Sequence, residues 1–184
     1  MLLLLRLAAA TLIVLSLGSC SYAYSLRAVV IDGRLAFVVA PWSKRHPDCM
    51  RGVVVSIDEG GPIAKPAPGD DAALVQNGGV YWWKQFDLLS CPNSFPIFYG
   101  QSLKGTPFVY GGGHTESVEA KPLVAGHVYE VSMQSSGSGY GTGWFRITTD
   151  RHVENWRSDP TPSVLNAQGY DITNGEQVPP APDG

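Results

Sequence analysis

Beyond its first twenty residues the chain has no apolar stretch of helical length and period. Its apolar residues come in short alternating or β-branched runs cut by turn residues, and 21 glycines and 14 prolines in 184 residues leave little room for long helices. Runs 26–31 and 34–39 are joined by Asp32-Gly33, the chemistry a two-residue type I′ hairpin prefers. Stretch 51–57 alternates, with Val53, Val55 and Ile57 on one face. Segment 58–69 reads as a Gly/Pro loop, and 70–76 as one or two helical turns capped by Asp70 or Asp71. Run 80–86 reads as a strand with Tyr81, Trp83 and Gln85 on one face and Val80, Trp82, Lys84 and Phe86 on the other. Strands at 95–99, 116–120, 127–134 and 144–149 complete a pattern that predicts an all-β fold, a small antiparallel sandwich.

The N-terminus follows a different rule. Residues 7–17 are an uncharged, largely apolar run behind Arg6, the length of a signal-peptide core and short of the roughly 20 residues a membrane span needs. Leu17-Gly18-Ser19-Cys20 then resembles the lipobox of bacterial lipoproteins. The resemblance implies cleavage before Cys20, a diacylglyceryl thioether on its sulfur and stable anchoring by several acyl chains. Ser21 in the following position implies sorting to an outer membrane. Cleavage after Ala23, giving a plainly secreted or periplasmic protein, is the alternative. The reading divides the chain into a signal peptide (1–19), a tether (20–25), a β domain (26–156) and a flexible, Pro- and Asn-rich tail (157–184).

Export makes disulfide chemistry available. With Cys20 processed, Cys49 and Cys91 remain, with one pairing open to them, and closing that loop stabilises the fold by about 4 kcal/mol in the chain-entropy model. The rival is a soft copper site made by His46, Cys49 and Met50. The chain carries a net charge of −3, one unit more negative once Arg6 is removed, and no basic run, which argues against nucleic acid as a partner.

The segment Leu123-Val124-Ala125-Gly126-His127-Val128-Tyr129-Glu130-Val131 resembles the fibronectin type III pattern of leucine, a turn, then Tyr-x-Val, with Ala125 in place of the usual proline. The resemblance implies an immunoglobulin-like or fibronectin-like sandwich with Tyr129 in a tyrosine corner, its hydroxyl bonded to backbone near 123–125. The fold implies no activity, because it hosts many.

Candidates for chemistry are few. His114-Thr115-Glu116 aligns His114 and Glu116 on one face of an extended segment, a weak metal or hydrolase motif that lacks the cysteine pair a zinc deaminase would supply. His127 reads as a solvent-facing or turn residue, and His152 has only Asp150 and Glu154 beside it. Gly137 to Gly143 leads into a strand pattern instead of a helix, so it reads as a long hairpin loop with Tyr140 at its tip, and not as a phosphate cradle. Trp82 and Trp83 point to opposite faces, so at most one of them is core. Trp42, Tyr81, Trp83, Tyr110, Tyr140 and Trp144 are the candidates for a stacking platform for a glycan or a groove for a protein partner. The expected function is a non-enzymatic binding or interaction module of an envelope lipoprotein, without a cofactor. The alternatives are a periplasmic hydrolase or metal-binding protein using His114 and Glu116, and a structural subunit of an envelope complex.

Overall fold

A computed structural model describes residues 21–58, 60–87, 91–111, 113, 115–156 and 170–171. The segment expected to be a signal peptide (1–19), Cys20, His114 and nearly all of the tail expected at 157–184 lie outside the described residues. The strands are β1 (Tyr22–Ile31), β2 (Arg34–Val39), β3 (Cys49–Met50), β4 (Gly52–Ile57), β5 (Val80–Gln85), β6 (Asn93–Ser94), β7 (Ile97–Phe98), β8 (Val128–Gln134), β9 (Gly139–Ile147), β10 (Val153–Trp156) and β11 (Tyr170–Asp171). One short helix, α1 (Ala72–Gly78), stands between β4 and β5. The fold is all-β.

The main sheet runs β5-β4-β8-β9-β1-β2-β7, and β10 and β11 continue from β9. It is not purely antiparallel, as the sequence pattern suggested: Tyr22–Ser25 of β1 run parallel to Gly139–Thr142 of β9, while the rest of β1 pairs antiparallel with β2. The sheet is mixed and curled. Because β1 changes partner midway, β2 is carried across the core to face β9, and the Phe37 and Phe145 rings meet at 5.4 Å. Tyr99, just beyond β7, packs edge-on against Trp82 of β5 at 5.4 Å. Phe37, Val55, Trp82, Tyr129, Val131 and Phe145 are enclosed in this main core.

The parallel pairing explains the glycine-rich run. That run is not a loop: β8 ends at Gln134, Ser135 N–H donates to the Gly139 carbonyl at 3.0 Å, and β9 starts at Gly139. Gly139 and Gly141 occupy inward positions, where a Cβ would overlap the rings of Tyr22 and Tyr24 from β1. Tyrosines of one strand thus fill the volume that glycines of the next leave empty. The Tyr22 hydroxyl meets Ser135 Oγ at 2.8 Å, and the Tyr24 hydroxyl donates to the Met133 carbonyl at 3.3 Å. Where β1 leaves β9, the buried side chain of Asn155 fills the gap: Ala28 N–H donates to its Oδ1 at 2.7 Å and its Nδ2 donates to the Ala28 carbonyl at 2.8 Å.

Two other expectations change. Strand β5 does not alternate throughout, because Val55 pairs with Trp82 and Ser56 with Val80, leaving Tyr81 as an extra residue in a bulge. Tyr81 and Trp82 therefore both turn inward, each 1% exposed. Segment 116–120 forms no strand beyond a single bridge between Val118 and Trp83. Its backbone is held from the other side, where Ser117 accepts from Asp71 N–H at 2.9 Å and Glu119 N–H donates to Asp70 Oδ1 at 2.8 Å. Asp71, not Asp70, caps α1, accepting from Ala73 and Leu74 N–H at 2.9 and 3.1 Å. Asp70 instead pairs with Lys121. Helix α1 and Val118 build a small second core with Val75 and Val80 that covers Trp83 and Val54, the β5 side of the sheet's outer face.

Candidate binding face

The register of four strands writes out the remaining outer face. Gly52 of β4 stands opposite Gln85 of β5 and Gln134 of β8, and Gln134 stands opposite Tyr140 of β9. The next outward rank is Trp83, Val54, Ser132 and Thr142, and the one after it includes Ser56, Glu130 and Trp144. Between the first two ranks lies a depression of about 110 Å³ lined by Gly52, Val54, Gln85, Ser132, Gln134, Tyr140 and Thr142, among others. Tyr140 is 51% exposed, although an aromatic ring of that size is usually better covered. The Gln85 side chain lies across Gly52, where a Cβ would stand 2.7 Å from its Oε1, and its Nε2 donates to Gln134 Oε1 at 3.0 Å. The ledge formed by the two amides exists because position 52 has no side chain.

Of the six aromatic candidates, three share this face: Tyr140, half-buried Trp144 on the same strand, and Trp83, half covered by α1. The others are elsewhere. Tyr81 is in the core through the bulge, its hydroxyl donating to the Pro62 carbonyl at 2.7 Å. Trp42 lies in the turn after β2 with the Arg27 guanidinium 5.9 Å above its ring. Tyr110 packs edge-on against Phe108 at 4.8 Å, in the loop beyond β5. Tyr140 is not the tip of a flexible loop but a rung of a paired strand, which holds its position. Neither Gln85 nor Gln134 is among the sequence candidates for binding; the signal available was their outward parity on two runs that read as strands.

A larger cleft of about 420 Å³ opens beside the end of β5, between Gln85, Phe86 and loop residues 100–103, 115–117 and 119. Glu116 lines it, but its carboxylate is engaged by Tyr110, whose phenol is pushed up first by burial and then by that negative neighbour. The metal partner proposed for Glu116, His114, lies outside the described residues. Cys49 is joined to Cys91, Cα atoms 5.6 Å apart, and Met50 is wholly buried, so His46, Cys49 and Met50 do not assemble as a soft-metal triad. Among the described residues no group of three or more His, Cys, Asp or Glu side chains could hold a metal ion. Nor, among them, is any helix long and apolar enough to cross a membrane. Tyr129 is fully enclosed; Val124 N–H donates to its hydroxyl at 2.8 Å and the hydroxyl donates to the Val124 carbonyl at 3.2 Å. Comparison with protein families, characterised proteins and solved structures finds no match.

Proposed function

We propose that the chain is an exported envelope protein, anchored through a lipidated Cys20, whose β domain is a non-enzymatic binding module. The module takes its ligand on the open outer face of the sheet. The observation that carries this reading is Tyr140, an aromatic ring half exposed on a rigid paired strand beside an amide ledge. Binding sites collect such rings, because they offer large apolar area at little entropic cost. The lipobox-like Leu17 to Cys20 supports the anchor, and the disulfide between Cys49 and Cys91 supports an oxidising compartment. The bonding of Tyr129 to Val124 supports kinship in kind with immunoglobulin-like or fibronectin-like sandwiches.

The test is site-specific photo-crosslinking in the native envelope. A photoreactive aromatic residue at position 140 should yield a defined adduct. The same residue at Ile63, 53% exposed but away from this face, should not. An adduct from Ile63, or from Gln101 in the larger cleft, with none from position 140 would overturn the reading.

A further inference from the structure

We infer that the ligand of this face is a neutral glycan chain, laid along β9 from Tyr140 toward Trp144. The inference rests on the reading of the open face as the binding surface. Four features lead to it. None of the residues lining the depression carries a charge at neutral pH, so an ionic ligand would shed hydration there without compensation. The polar groups present are two primary amides, the Thr142 hydroxyl and the Ser132 hydroxyl, which donates to the carboxylate of Glu130, the residue opposite Trp144, at 3.1 Å. Each amide both donates and accepts, and the single bond joining Gln85 to Gln134 leaves capacity of both kinds, the complement of sugar hydroxyls.

The third feature is Tyr140, whose electron-rich ring face suits the polarised C–H face of a pyranose. The fourth is spacing. Tyr140 and Trp144 point to the same side of one strand four residues apart, about 13 Å at strand rise, a distance that a linear oligosaccharide spans and a single sugar does not. A peptide strand fits less well, because the backbone groups of β4, β8 and β9 here are spent within the sheet and offer nothing to pair with.

The experiment titrates the mature protein with cellohexaose, maltohexaose and chitohexaose and follows the side-chain amide resonances of Gln85 and Gln134 by NMR. At least one oligomer should shift both amides saturably, with an affinity unchanged between low and high salt. Tyr140→Ala should weaken it by about tenfold or more. Gly52→Ala, whose methyl displaces the Gln85 amide on the floor of the depression, should weaken it comparably while leaving the thermal unfolding midpoint near that of the native protein. Gln134→Leu removes the ledge by a second route should Gly52→Ala disturb the fold. If no oligomer shifts these amides, or if binding maps to the cleft beside β5, the glycan inference is wrong. A position-140 adduct to a protein, in that case, would leave the open-face reading standing; no adduct would remove both.

Discussion

Asn155→Ala tests how β1 is held after it leaves β9. Asn155 is 2% exposed, and its side chain satisfies both backbone groups of Ala28 at 2.7 and 2.8 Å. Alanine leaves that N–H and that carbonyl enclosed without partners, at about 1–3 kcal/mol each, so the variant should lose about 2–6 kcal/mol. Against a domain stability of about 5–15 kcal/mol this is a large fraction. Equilibrium urea unfolding of the mature protein, with the disulfide intact, reads it as a lower midpoint at unchanged slope. Asn155→Asp adds a direction. An ionised carboxylate accepts from Ala28 N–H but repels the Ala28 carbonyl, whereas the protonated acid can donate to it. Burial and this repulsion raise the folded-state pKa of the new carboxyl, so its contribution is favourable at low pH and lost as pH rises through that value. The aspartate variant should therefore deviate least from native near pH 4 and most near about pH 7. A loss under about 0.5 kcal/mol for Asn155→Ala, or a pH-independent aspartate variant, would refute the reasoning.

Tyr129→Phe keeps the ring and removes the bonds to Val124, costing about 0.5–1.5 kcal/mol, whereas Tyr129→Ala should cost about 3–5 kcal/mol in the same unfolding assay. At Asp70, burial opposes ionisation, but hydrogen bonds from Lys121 and from the Ala67 and Glu119 backbones outweigh it and hold the carboxyl below its usual value. The stability this contributes is present above about pH 4 and lost as pH falls through the depressed value; acid titration of native protein against Asp70→Asn should show the difference. Cys20→Ser should abolish incorporation of labelled fatty acid, and equal labelling of both proteins would remove the lipid anchor.

Local chemistry was legible where a motif needs only its neighbours. Asp32-Gly33 adopts positive φ at both residues, 50° and 71°, as the turn between β1 and β2 requires, and Asp71, one of the two expected caps, caps the helix. The runs at 51–57 and 127–134 became β4 and β8 because their apolar period already matched a one-sided sheet. Features that depend on a distant partner were hidden. Gly139, Gly141 and Gly143 alternate with Tyr140 and Thr142, a strand period whose inward half is bare, and it reads as a loop until Tyr22 and Tyr24 are laid beside it. The bulge at Tyr81 shifts one residue's facing and moves a candidate binding aromatic into the core. The candidate face was hidden the same way: its aromatics were visible as residue types, but the Gln85–Gln134 ledge exists only because β4 places Gly52 between them.

Hydroxyl-radical footprinting of Tyr140 tests the central claim most directly, because it compares the ring in the intact envelope with the ring in the purified mature domain. If the open face is the binding surface, Tyr140 should be modified several-fold less in the envelope while Ile63, about equally exposed in the isolated domain, is modified alike in both. Equal modification of Tyr140 in the two settings would contradict the account.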